Sequence, residues 1–502
     1  MFHSYRYFPY ERELAEREVQ QLAPRCSFTR SASGLALTGR TDIERLRKLT
    51  YFASIVAHGK TTRTIQHDLE ASNVKSGETS SRQATRYSAH ALHEYKGRFN
   101  PQLVGFLLNY LGVRSDGIVF DPFCGSGTAL VESAIRGIAA VGIDINPLAV
   151  FISNAKLRAL ATPADELTSR LNNLLTAFDD SLRYEQLILL EPDERQSYLA
   201  LWFREQELAV LEALRKCILE GARSTRGIFL ALVSDLLRDY SLQEPADLRI
   251  RRRISPMPET PLLLAFKRKA QKFIKSLAAA QQAIGLVRRN GKAMAGDSKS
   301  VATVSNALDN AAADCVITSP PYATALPYID TQRLSLVWLE LCSVAAVRRL
   351  EGEAVGSREK RKAEPNWNKR IANNTDNLPN DVFSFCNELR CAVASHDGFR
   401  RQATPSVVYR YFADMKQVFA VLSQSVKKQC PVAFIVGSNH TTLGGRRFEI
   451  DTPNLLAAIA EQAGFRVIDR INLQTYQRYD LHKKNSIRSE DLTIFQLGEN
   501  RR

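Results

Sequence analysis

The sequence predicts an α/β protein built on a mostly parallel sheet, with a helical insertion and a small amino-terminal α/β unit. Three observations carry that prediction. GIVFD, GTALVESAIRG and AAVGID follow one another between Gly117 and Asp144 as strand, helix and strand with short connections, the βαβ unit of a parallel sheet. A tight glycine turn, Cys124–Gly127, stands at the carboxyl end of the first of these strands, where open parallel sheets hold their ligands. The alternation stops at Pro163 and resumes at Gly291, so a long helical stretch interrupts a single sheet-forming pattern.

Residues 1–60 read as a small α/β unit: YRYFPY as a strand, ERELAEREVQQLAP as a helix, CSFTRSASGLALTG as a hairpin and TDIERLRKLTYFASIV as a second helix opened by a Thr/Asp cap. That order suits half of a ferredoxin-like module. Residues 61–89 are polar and Ser/Thr-rich and read as a linker. The α/β unit then occupies 90–162 and 291–498. Its later strands are expected in GKAMAGD, ADCVITSPPY, PVAFIVGSN, FRVIDRINLQ and DLTIFQL. Residues 163–290 show apolar residues at helical spacing, among them Leu167, Leu171, Leu174 and Phe178. A second insertion, 342–404, is polar and basic, and loops of that length inside a compact domain are usually functional or disordered.

The 502 residues carry a formal charge of +15 and a pI near 9.5, a balance that favours polyanions such as nucleic acid. Two basic runs in the helical insertion are the candidates for phosphate contact: Arg249, Arg251, Arg252 and Arg253, and then Lys267, Arg268 and Lys269 with Lys272 and Lys275 behind them. The competing reading of each run is a solvated helix face. Eight cysteines without a CxxC pair predict neither a disulfide framework nor a zinc ribbon, and no metal site is expected. No apolar run approaches the roughly 18 residues of a membrane span. The first residues lack an apolar signal core, so a cytoplasmic protein is expected.

Two glycines directly after a buried strand let the backbone pass close to a ligand, while the following helix offers N–H groups and the positive end of its dipole. Nucleoside triphosphates are disfavoured because GSGTALVE lacks the Gly-Lys-Ser/Thr of a P-loop. The dinucleotide fingerprint is incomplete, since Leu130 stands where its third glycine belongs. Asp144, ending the next strand, sits where such folds place a ribose-binding carboxylate and fits any adenosine cofactor. Thr318–Tyr322, TSPPY, ends a later strand. Two consecutive prolines cannot continue a ladder, so they fix a rigid projection that presents Ser319 and the Tyr322 ring.

With DPFCGSGT at 121–128 and TSPPY at 318–322, the chain resembles the S-adenosylmethionine-dependent amino-methyltransferases of DNA, which modify cytosine N4 or adenine N6. HEYKGRFNPQLV, PYATALPYIDTQRLSLVWLEL and RSEDLTIFQL are similar to further segments of that family, and the resemblance covers about residues 90–160 and 290–498. It implies a Rossmann-like methyltransferase fold with a mostly parallel seven-stranded sheet, S-adenosylmethionine as cofactor and duplex DNA ahead of RNA as partner. Restriction-modification, with a cognate restriction or defence partner, is the setting it suggests.

The resemblance also implies roles. Ser319 and the Pro320 carbonyl would accept hydrogen bonds from the target amine, Pro321 would stiffen the turn, and Tyr322 would stack on a base flipped out of the duplex. Asp144 would hold the ribose hydroxyls and Asp297 the cofactor's adenine amine. Asp121, Gly125 and Gly127 would take the methionine end, with Phe99 closing over it. Pro122, Phe123, Thr128 and Asn146 complete the cofactor set. Ring-carbon cytosine methylation is disfavoured, because it needs a Pro-Cys nucleophile where this chain has Pro-Pro-Tyr.

Two other readings stand beside this one. The amino-terminal order loosely resembles the small domain of some tRNA guanine-N2 methyltransferases, which would make the substrate RNA. A nucleic-acid-binding protein with a non-catalytic S-adenosylmethionine site is the other. The helical insertion is expected to grip the backbone and the second insertion to read bases.

Overall fold

A computed structural model of the chain describes residues 1–71, 83–95, 97, 99–184, 193–247, 250–288, 290–323, 329–358, 366–474 and 489–498. A seven-stranded sheet organises it: β1 Ile118–Asp121, β2 Ala139–Asp144, β3 Gly291–Ala295, β4 Cys315–Thr318, β5 Pro431–Gly437, β6 Phe465–Gln474 and β7 Ser489–Leu497. The strand order is 3-2-1-4-5-7-6. Neighbours from β3 to β5 are parallel, and β7 runs antiparallel between β5 and β6. This is the Rossmann-like, mostly parallel sheet expected, and its order reverses at β1, which puts a topological switch point between β1 and β4.

The strands bury both faces because the side chains alternate between two cores. Val119, Cys315, Ile317, Ile435, Leu492 and Ile494 face one core. Phe120, Val316, Val432, Phe434 and Phe495 face the other. The first core continues into the helices of 163–290, where Leu167, Leu171, Leu211, Phe229 and Phe266 are buried. The second continues into residues 342–404 and the helix Thr404–Ser425. The helical insertion thickens one face of the sheet, whereas the second insertion lies mainly on the other and reaches the first core at Val347.

Three expectations are corrected. The amino-terminal strands form two separate two-stranded hairpins, Ser27–Ser31 with Gly34–Thr38 and Ser54–Ala57 with Lys60–Arg63, so no ferredoxin-like sheet exists there. YRYFPY contains no strand, and the first helix begins at Pro9, whose fixed φ suits a first helical turn. The expected second helix spans only Ile43–Leu46, because His58 and Gly59 both adopt positive φ (51° and 74°) and close a hairpin instead. Leu14, Val19, Leu46 and Tyr51 share the first core with Val104 and Phe106, so residues 1–60 are packed into the α/β unit.

The polar segment 61–89 is likewise no open linker where it is described. Ile65–Ala71 is helical, and Thr64, Gln66, Leu69 and Tyr87 are buried. Its polar side chains are paired inside: Gln66 and Gln102 both donate to Glu70, at 2.8 and 2.9 Å. The described part of 342–404 is mostly helical, with Val347, Ile371, Val382 and Leu389 buried. No helix among the described residues is long and apolar enough to cross a membrane.

Candidate active site

The glycine turn is built by its own backbone requirements. Gly127 caps the helix Thr128–Ile135 with φ 77°, and a Cβ there would meet the Ser153 Oγ at 2.7 Å and its Cβ at 2.8 Å. Gly125 also has positive φ, 48°. Its amide donates to Asp144 Oδ2 at 2.9 Å, and its carbonyl accepts from Ser153 Oγ at 2.8 Å. The Lys156 ammonium, fully buried, donates to the Ser126 carbonyl at 2.9 Å. The helix Pro147–Leu160 thus holds the turn from behind, and Asp144 holds it from the neighbouring strand.

The two motifs meet across the switch point. Asp121, 2% exposed, accepts from the Phe123 amide at 3.1 Å and from the Thr318 hydroxyl at 2.6 Å. The end of β1 is thereby tied to the end of β4, at residues 197 positions apart. Burial, with the Asp144 charge nearby, pushes the Asp121 carboxyl up to about 7. Burial pushes Asp144 up to about 6, against the pull of the two amides it accepts from, Gly125 and Asn146. The Cys124 thiol is buried and raised well above its usual range, which suits packing and not nucleophilic attack.

One cavity of about 270 Å³ collects most of the expected residues: Phe99, Phe123, Gly125, Asp144, Asn146, Asp297 and Ser319–Tyr322 all line it. Asp121, Pro122, Gly127 and Thr128 do not line it and act from behind the wall; the Pro122 carbonyl accepts from Ser298, which does line it. Asp297 is half exposed and receives the Lys299 amide at 3.0 Å. Asn146 caps the helix that Pro147 opens and donates to Gln332 Oε1 at 2.7 Å. A wall with apolar rings, a glycine backbone and two well-placed carboxylates fits an adenosine-bearing cation.

Sequence reading missed several lining residues. Tyr95, Glu353–Val355 and Glu490 are among them. Tyr95 and Glu490 lie inside segments singled out by resemblance, yet nothing in their type announced a cavity position. Residues 353–355 belong to the second insertion, which therefore contributes to the cavity wall itself. Glu490 accepts a hydrogen bond from the Tyr322 hydroxyl.

The basic runs divide. Arg249 lies outside the described residues. Arg253 donates to the carbonyls of Asp239 at 2.6 Å, Ser241 at 2.8 Å and Ser255 at 3.1 Å. Arg252 donates to the Leu201 carbonyl at 2.6 Å and lies over the Trp202 ring at 4.7 Å. Arg251 is 57% exposed and pairs with Asp247 at 3.1 Å. Lys269 is drawn inward to Asp235, whose other oxygen accepts the Glu94 amide at 2.7 Å. Lys267, Arg268, Lys272 and Lys275 are exposed along one side of the helix Leu262–Ile284. At 100° per residue they span an arc of about 140°.

Residues 91–182 match the sequence profile of the UPF0020 RMKL-like methyltransferase domain. The chain is 27% identical over 278 residues to the type II methyltransferase M.MvaI of Kocuria varians, an alignment covering 51% of this chain and 59% of that protein. It is 38% identical over 52 residues to the tRNA (guanine(10)-N2)-dimethyltransferase of Methanothermobacter thermautotrophicus, covering 10% and 16%. The chain thus spans less than two thirds of the length of either relative. Among solved structures, the rRNA methyltransferase aviRa of Streptomyces viridochromogenes aligns over 81% of this chain and 89% of its own, with 11% identity and a TM-score of 0.30, too low to carry an argument. Fold and similarities together relate the chain to the nucleic-acid methyltransferases, and the methyl donor this relationship implies is S-adenosylmethionine.

Proposed function

We propose that the protein transfers a methyl group from S-adenosylmethionine to the exocyclic amine of a base flipped out of duplex DNA, cytosine N4 ahead of adenine N6. The observation that carries this reading is the single cavity lined at once by Gly125, Asp144, Asp297 and the Ser319–Tyr322 turn. When bound, S-adenosylmethionine supplies an electrophilic methyl group. Asp144 has one amide on each carboxylate oxygen and keeps lone pairs for the ribose hydroxyls. Asp297 accepts from the adenine amine, and Phe99 covers the methionine arm.

On the substrate side, Ser319 and the Pro320 carbonyl accept hydrogen bonds from the target amine. That amine is a poor nucleophile because its lone pair is delocalised into the ring. Two acceptors orient it and favour the pyramidal form, a contribution of positioning and electrostatics. Tyr322 stacks on the extruded base. The exposed face of Lys267, Arg268, Lys272 and Lys275 touches the phosphate backbone. Preference for DNA is supported by the long similarity to a type II methyltransferase, and the serine-led spelling of TSPPY supports cytosine.

A second reading, tRNA guanine-N2 methylation, is favoured by the short similarity to the tRNA dimethyltransferase. The two amino-terminal hairpins, packed into the main core, weigh against the separate RNA-binding module it would use. Labelled methyl transfer to unmethylated duplex DNA and, separately, to unmodified tRNA tests the two. Label on DNA that falls at least about 10²-fold in Tyr322→Ala is expected. Label on tRNA alone transfers the reading to RNA, and cofactor binding without transfer to either supports a non-catalytic site.

A further inference from the structure

We propose that Glu490 is a positioning residue for methyl transfer, anchoring the far end of the Tyr322 ring where the target base is stacked. The inference rests on the reading of Tyr322 given above and extends it to a residue on the last strand. Because β7 runs antiparallel to β5, its first residues lie at the carboxyl edge of the parallel strands, and Glu490 pairs there with Gly437 of β5 and Leu473 of β6.

Its place in the strand is unusual for an acid. Leu492 and Ile494 share its face of the sheet and are buried in the first core, so Glu490 continues an apolar column into the cavity it lines. A carboxyl at the end of such a column costs solvation and adds nothing to packing that a leucine would not. What it gains is the phenol: the Tyr322 hydroxyl donates to Glu490 Oε1. The β4 turn is rigid up to Pro321, and the Tyr322 side chain beyond it turns about two torsions. A hydrogen bond at the far end of the ring fixes the first of these, and it biases the second because the phenol O–H prefers to lie in the ring plane.

Burial raises the Glu490 carboxyl, and the phenol's hydrogen bond draws it partly back. Among the described residues, Tyr95 lines the same cavity as Glu490. Tyr322 faces it from the β4 turn, β5 and β6 present Ile435, Gly437 and Leu473, and Asp144, Asp297 and Glu353 line the same cavity. The ionised carboxylate is the stronger acceptor, so the clamp tightens as pH rises through the Glu490 pKa.

Three variants and one spectroscopic label test this. Glu490→Ala is expected to lower kcat by about tenfold to a hundredfold with KM for S-adenosylmethionine unchanged. Glu490→Gln, which keeps an acceptor oxygen, recovers most of that loss and removes the acidic limb that Glu490 gives the pH profile of kcat. Tyr322→Phe combined with Glu490→Ala is no worse than the more severe single variant. Fluorotyrosine placed at 322 reads the hydrogen bond without catalysis: its fluorine resonance titrates with an acidic group in the parent protein and does not in Glu490→Gln. Equal losses in the Ala and Gln variants, a change confined to KM for the cofactor, or a fluorine titration indifferent to residue 490 overturns the proposal. A parent protein that methylates neither DNA nor tRNA sinks the proposed function, while the fluorine titration still decides the role of Glu490.

Discussion

At the carboxyl edge of the sheet, residues far apart in sequence converge, whereas in the helical insertion residues adjacent in sequence diverge. Asp121 and Thr318 share a hydrogen bond across the switch point. Arg251, Arg252 and Arg253 each take a different partner: a surface carboxylate, a carbonyl with an indole face, and three further carbonyls. The contrast follows from chemistry. A left-handed turn pressed against Ser153 admits little but glycine, so residue type reports the backbone. A guanidinium bonds a carbonyl and a phosphate with the same five donors, so residue type reports nothing about direction.

Gly127 is where the edge should be most sensitive. Gly127→Ala forces a Cβ into positive φ and against Ser153, and should destabilise the protein by about 3 kcal/mol or more in chemical denaturation. An unchanged denaturation midpoint would show that the turn is not fixed as described. Asp121→Asn tests the other half of the edge. Its carboxyl rises from 3.8 to about 7 on folding, so the folded state holds a proton that the unfolded state releases. The resulting penalty is absent below about pH 4 and complete above about pH 7. Stability of the parent protein should therefore fall relative to the Asn variant across that window, and parallel stability curves would refute it.

In the insertion the expected effects are smaller and separable. Arg253→Ala should cost about 2 kcal/mol of stability by leaving three carbonyls without their donor, while the salt dependence of nucleic-acid binding stays as it was. Replacing Lys267, Arg268, Lys272 and Lys275 together by Gln should do the reverse. The slope of log affinity against log salt should become shallower by about 0.9 for each phosphate that is no longer neutralised, with little change in stability. If the four substitutions leave the slope intact and Arg253→Ala changes it, the two basic runs play the opposite parts.

How much could be read beforehand follows the same division. The sheet, its parallel core and the two motif-bearing strand ends were legible because buried strands such as CVIT and IVFD are apolar almost without interruption. Asp144 and Ser319–Tyr322 were legible as cavity residues because each ends a strand at the ligand edge. The amino-terminal segment departs from its reading because His58-Gly59, a positive-φ hairpin turn, follows an apolar run that suits a helix equally well. Residues 61–89 depart from theirs because Gln66 and Gln102 hydrogen-bond Glu70 inside the protein, and polar composition does not distinguish that from solvation. Glu490 was hidden by its strand: the period-2 pattern places it on the core face but cannot name Tyr322 as the group it meets.

Everything proposed for the chemistry depends on one cavity joining the glycine turn of β1 to the proline turn of β4 around a methyl donor. A crystal structure of the protein with S-adenosylhomocysteine, the demethylated cofactor, puts that to the proof. The expected complex has the ribose on Asp144, the adenine amine at Asp297 and the sulfur turned toward Ser319–Tyr322. A ligand bound elsewhere, or bound here with its sulfur turned away from that motif, would contradict it.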